Sequence, residues 1–260
     1  MHGRIREEMR RAAEALKGLD RQVLWILVLV PLLVIAQESI GSRVLFRRHL
    51  GELVPLEWRG LAAWGWWFGI QGILGFVIPV TILKGAFKRK AADMGLGLGD
   101  WKLALVLAAI YVPVVVVGTW FLSSSPEFRA KYPHYGPASF DWTVFIIYEL
   151  LFLFYWVGWE YLWRGFMLFG TAHVFGLYSI FIQAIPFALL HLNKPLPEAV
   201  LSVIGGIALG ALVWRCRSFW IAVPIHAVQM LILDLWCALR SRSGISGTSI
   251  DDLMQLLGIN

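Results

Sequence analysis

The stretch "VGWEYLWRGFMLFG", residues 157–170, is apolar enough to lie inside a membrane, yet it holds Glu160 and Arg164. The two are four residues apart, so on a helix they share a face and can pair. A charged side chain at the centre of a bilayer costs about 3 kcal/mol on insertion scales. Such residues therefore face a protein interior, find a partner, or do chemistry. What surrounds the stretch decides whether it is a membrane span.

The surroundings are strongly apolar. Of 260 residues 58% are hydrophobic and 15% charged, with a mean hydropathy of +0.68; a soluble domain is about half apolar and a quarter charged. Apolar runs recur at about 23–37, 62–83, 103–122, 142–168, 174–191, 198–214 and 219–238, each near the ~20 residues that cross a bilayer. The pattern predicts an all-α, polytopic membrane protein of about seven transmembrane helices, the last four forming a core. The chain divides into a cytoplasmic basic helix (1–22), N-terminal transmembrane helices (23–140), the core (141–240) and a tail (241–260). Many of the 14 tryptophans fall near span ends, where aromatic rings sit at the membrane–water interface.

The net charge of +6 lies in short segments between spans. This matches the positive-inside bias and contact with anionic lipid, so the partners expected are the bilayer and a membrane-associated peptide or protein, not nucleic acid. The basic N-terminus and "KGAFKRKAAD" (84–93) are placed inside, and the Pro-, Ser- and Gly-rich 123–141 outside. This predicts an integral protein of a bacterial inner membrane with a cytoplasmic N-terminus. Arg240 and Arg242, on the outer side by this count, run against the charge rule. The first 21 residues are too charged for a cleavable signal peptide. Cys216 and Cys237 form no CxxC pair, which argues against a thiolate metal site or a disulfide framework.

Ionisable residues concentrate in the last four spans. Glu149 lies eleven residues before Glu160 and on the same helical face; His191 ends the fifth run; His226 and Asp234, eight residues apart, share a face of the seventh. Glu198 follows Pro197, which suits a first helical turn, and so opens the sixth helix near Lys194. Singly, each has a bland reading as an interfacial or helix-pairing residue. Together, one Glu and two His on three apolar helices are the minimum set for activating water. No cofactor is implied. His2Glu is also a zinc ligand set, but no HExxH spacing occurs.

At these residues the chain resembles the CAAX-protease and bacteriocin-processing (CPBP, or Abi) family of intramembrane proteases, relatives of the type II CAAX prenyl endopeptidases. "WEYLWR" is similar to the EExxxR motif, "FALLH" (187–191) to FxxxH, and "HAVQM" (226–230) to HxxxN or HxxxD. The resemblance covers about 140–240 and implies an intramembrane endopeptidase in which a Glu–His pair activates water while a third-motif His and Asn hold the oxyanion. Carried over, the catalytic residues are Glu160 as base, His191 as its partner on the water and His226 at the oxyanion. Arg164, Asp234 and Glu198 would be supporting residues. Two departures stand out. Trp159 replaces the first Glu of EExxxR, and Met230 replaces the Asn or Asp. They leave room for a non-catalytic scaffold or immunity protein on the same fold. A proton-coupled transporter is a further alternative, disfavoured by the lack of an inverted repeat. If the fourth and fifth runs form a plain antiparallel hairpin, Glu160 and His191 come to lie about 13 Å apart in depth. The fifth helix must therefore start late, break near Pro186, or be displaced.

Overall fold

The computed structural model describes residues 2–259. Its elements are α1 (His2–Lys17), α2 (Arg21–Ser39), α3 (Arg43–His49), α4 (Leu56–Gly85), α5 (Trp101–Leu122), α6 (Pro126–Lys131), α7 (Trp142–Phe175), α8 (Tyr178–Leu189), α9 (Leu196–Cys216), α10 (Phe219–Ser243) and α11 (Ile250–Leu256). Among the described residues there is no strand. Six helices, α2, α4, α5, α7, α9 and α10, are long and apolar enough to cross a membrane, while the seventh apolar segment, α8, has 12 residues. The polytopic all-α expectation holds in that form: six long helices and one short.

Helix starts follow from local chemistry. Asp20, Asp100 and Asp141 each accept a backbone N–H of the first turn, from Val23, Leu103 and Val144 respectively. An N-cap carboxylate satisfies one of the donors a helix leaves open. The Val23 N–H bond is also the main reason the Asp20 carboxyl lies below its ordinary range.

Loop contacts sort the ends of the bundle. At one end, Asp100 N donates to Cys216 O (2.9 Å), Phe219 N to Gly95 O (2.9 Å), and His173 Nε2 meets Asp20 Oδ2 (3.0 Å). Arg89 and Arg215 lie at this end. At the other end, Lys131 Nζ donates to Asn193 O (3.1 Å) and Arg242 Nε to Ser139 O (2.8 Å). The tail belongs here, and Arg240 explains its odd charge. Its buried guanidinium donates to Ser123 Oγ, Trp120 O and Gly247 O and lies 3.8 Å over the Trp120 ring. It is a tie between α5, α10 and the tail, not a free loop charge.

The packing of α4 on α7 sets the site's frame. At Gly158, an added Cβ would overlap the Gln71 carbonyl and Gly72 Cα; at Gly75 it would overlap the Gly158 carbonyl. Small residues let membrane helices approach backbone to backbone, because apolar side chains gain little by leaving lipid. Both helices pass into π-turns beside this crossing, over Ile73–Val77 and Tyr161–Phe169, and π-turns frequently accompany functional sites. Gly158→Ala is expected to destabilise by about 1–3 kcal/mol, the usual cost of overpacking. Thermal unfolding in detergent checks this against Gly69→Ala, whose Cβ would have nothing within 4 Å. Equal melting temperatures would refute the close-approach account.

The depth mismatch between Glu160 and His191 is resolved by α7 and α8. Helix α7 does not end near 168 but runs to Phe175, because the polar Thr171 returns its hydroxyl to Met167 O (2.8 Å) and meets Ser179 Oγ (3.1 Å). Glu160 thus lies about 20 Å from the α7 terminus, at 1.5 Å per residue. Helix α8 starts late, at Tyr178, and its 12 residues rise about 18 Å. The next turn brings His191 level with residue 159.

Candidate active site

Glu160 closes the regular part of α7 and is fully buried, as is Arg164. Arg164 Nη1 lies 3.3 Å from both carboxyl oxygens of Glu160. His226, near the start of α10, donates Nδ1–H to Glu160 Oε1 at 2.6 Å. One carboxylate therefore binds a guanidinium and an imidazole at once. Two cationic or hydrogen-bonding partners offset the desolvation that a lone buried charge would suffer.

Aromatic rings fix the imidazoles. The Trp156 ring lies 4.2 Å from that of His226. Phe187 sits among three members of the site: 4.2 Å from the Arg164 guanidinium, 4.7 Å from the His191 ring and 6.3 Å from the His226 ring. His191 donates Nδ1–H to Phe187 O at 2.7 Å, so its Nε2 carries the lone pair. Glu160, Arg164, His191 and His226 thus come together, with His226 rather than His191 on the Glu160 carboxylate. His191 faces Trp159, whose ring is 6.2 Å away and also packs on Tyr155, Trp163 and Phe187. Among the described residues no three His, Cys, Asp or Glu side chains converge as a metal-ligand set.

Asp234 and Glu198 belong to a second polar cluster. Asp234 is fully buried and faces Glu149 across α7 and α10. Glu198, in the first turn of α9, accepts from Tyr132 OH (2.5 Å) and lies 3.6 Å from Lys194 Nζ. Lys194 also donates to Tyr132 OH (2.7 Å) and to His134 Nε2 (3.1 Å). Burial pushes His134 well below the ordinary imidazole value, and the Lys194 ammonium adds to this, so the ring is neutral and can accept. Burial also lowers Lys194, opposed by Glu198.

Tyr132 and His134 were not legible as site residues, because they lie in the Pro- and Ser-rich segment expected to be an outside loop. Part of that segment packs against the bundle, with Tyr132 buried. The His134 ring stacks on Trp64 at 5.7 Å and lies 6.4 Å from Phe152, which is about 15 Å along α7. Irregular backbone is tolerated at that depth when protein surrounds it. The aromatic and histidine-containing "KYPHYG" (131–136) was the available signal. The N-terminal spans also hold buried polar residues that hydropathy concealed: Gln22 donates to Gly170 O and Gln37 to Trp67 O.

The bundle thus holds a buried carboxylate–imidazole–guanidinium centre on apolar helices long enough to cross a membrane. Residues 137–232 match the family described as type II CAAX prenyl endopeptidase Rce1-like. No curated protein and no solved structure matches the chain.

Proposed function

We propose that this protein is an intramembrane endopeptidase whose water-activating pair is Glu160 and His226. The observation that carries the reading is the 2.6 Å bond from His226 Nδ1 to the buried Glu160 carboxylate. A carboxylate on Nδ1–H fixes the tautomer and leaves the Nε2 lone pair to take a proton from water. The hydroxide so formed attacks the peptide carbonyl carbon. The imidazolium, stabilised by Glu160, then gives its proton to the departing amine. His191, locked by Phe187 O, would hydrogen-bond the attacking water through Nε2. Arg164 supplies the countercharge beside Glu160. The arrangement differs from the sequence-based assignment in two roles: Glu160 orients the base instead of being it, and His226 is the base instead of the oxyanion group. The substrate would be a peptide or protein tail near the membrane surface, and the enzyme would sit in a bacterial inner membrane with its N-terminus cytoplasmic. The test is incubation of purified protein with a membrane proteome, with Glu160→Ala as control and new termini read by mass spectrometry. Identical terminus sets from both proteins would reject the proposal.

A second reading, a non-catalytic protein on the same fold, draws on Trp159. It stands where the family motif has its first Glu, and its ring rather than a carboxylate faces His191.

Hydrolysis is expected to be independent of metal. The Arg164 guanidinium already lies on both Glu160 oxygens, and a second cation there would be repelled. Chelators should leave cleavage unchanged; loss of cleavage together with stoichiometric bound zinc would overturn this.

A further inference from the structure

The polar cluster around Asp234 is not used by the hydrolytic mechanism, and its charges do not balance. Glu149, Asp234 and Glu198 supply three carboxyls, against the single ammonium of Lys194. Lys194 is engaged by Glu198, Tyr132 and His134. Apart from the carboxyl-to-carboxyl contact between Glu149 and Asp234, neither oxygen of the fully buried Asp234 receives a hydrogen bond, nor does the buried Oε1 of Glu149. Buried acceptors without donors are costly, which points to a donor supplied from outside.

There is a route for one. A groove of about 280 Å³ runs between α7 and α10, lined by Ile146, Glu149, Leu153 and Trp156 on one side and by Val228 and Leu231 on the other. Ile146, Leu153 and Leu231 are exposed, so in a bilayer the groove opens sideways to lipid. Its lining on α7 recurs every three or four residues, as needed to receive a helix or an extended segment along the helix axis. Its one ionisable lining residue is Glu149, with Asp234 behind it. At its far end Trp156 lies against His226.

We infer that this groove binds an apolar membrane segment carrying one cationic side chain, a lysine or arginine that extends to Glu149 and Asp234. Apolar walls bury the segment's hydrocarbon, and the carboxyl pair supplies the partner that a cation at this depth requires. Read with the proposed endopeptidase, the groove is the substrate's berth and the cation its register mark; the binding itself does not depend on hydrolysis.

The test uses full-length protein with a photo-crosslinking residue in place of Leu153, reconstituted in phosphatidylcholine liposomes. The probes are three synthetic leucine–alanine helices of about 21 residues, sized to the bilayer. They differ only in carrying Lys, Leu or Glu about seven residues from one end, the depth of Glu149 along α7. The lysine helix should crosslink at least about tenfold more than the leucine helix, the ratio that a ~1.4 kcal/mol pairing produces. The glutamate helix should crosslink least. Glu149→Gln and Asp234→Asn should each bring the lysine helix down to the leucine level. Equal crosslinking of the lysine and leucine helices by the wild type would overturn the inference, and so would a lysine preference that survives both variants. A hydrolytically silent protein answers the question equally well, so failure here is separable from failure of the proposed activity.

Discussion

Glu160→Gln is expected to reduce turnover by about 10³–10⁴-fold, the scale of loss when the carboxylate behind a catalytic histidine becomes an amide. The amide keeps the shape but cannot stabilise the imidazolium or hold His226 in one tautomer. The same change strips Arg164 of its carboxylate partner, and a buried charge left alone costs about 3–5 kcal/mol. The single variant should therefore melt lower as well as turn over less. The double variant Glu160→Gln, Arg164→Met separates the two effects. Removing both charges should restore much of the stability, since apolar replacements of buried pairs are often neutral, while hydrolysis stays lost. Activity regained in the double variant would mean that Glu160 serves only as the counter-ion of Arg164. His226 would then need another partner.

The second large effect is expected at Trp159. Its ring stacks on Tyr155 at 5.4 Å and packs on Trp163, Phe187 and His191. Truncating a large packed aromatic costs about 3–5 kcal/mol. Trp159→Glu would add a second carboxyl beside Glu160, and two such groups cannot both ionise cheaply. Activity and melting temperature should fall together. Met230→Asn is milder, since Met230 is buried between α7 and α10 in a mostly apolar cluster. Hydrolysis by the wild type, by each of these single variants and by the variant that combines them discriminates between the readings. A silent wild type that gains activity only when Trp159→Glu and Met230→Asn are combined would replace the endopeptidase reading by the non-catalytic one.

Periodicity made the centre of the site legible and left its surroundings hidden. Glu160 and Arg164 stood out because charge in an apolar run is rare, and their four-residue spacing is that of a contacting pair. His226 stood out for the same reason. The partner of Glu160 was less legible, because contacts between helices depend on where each helix ends. Thr171 and Ser179 satisfy each other, so α7 continues through residues that hydropathy reads as a terminus. The π-turns also change the facing of everything after Glu160, and nothing in the residue pattern announces them. The inward contacts of loop 123–141 were hidden for a related reason: its polar composition describes contact with water equally well as contact with Lys194 and Glu198.

The brevity of α8 has a consequence for the lipid. Phe181, Ile185 and Leu189 present an exposed apolar flank, but a helix of 12 residues covers only about 18 Å of a hydrocarbon layer roughly 30 Å thick. Lipid beside it must thin, or headgroups must sink to meet the turn that carries His191. Thinning around this flank would form a shallow dimple that brings water and headgroups towards the imidazoles. The membrane's own elasticity would then shorten the path that water travels to the site.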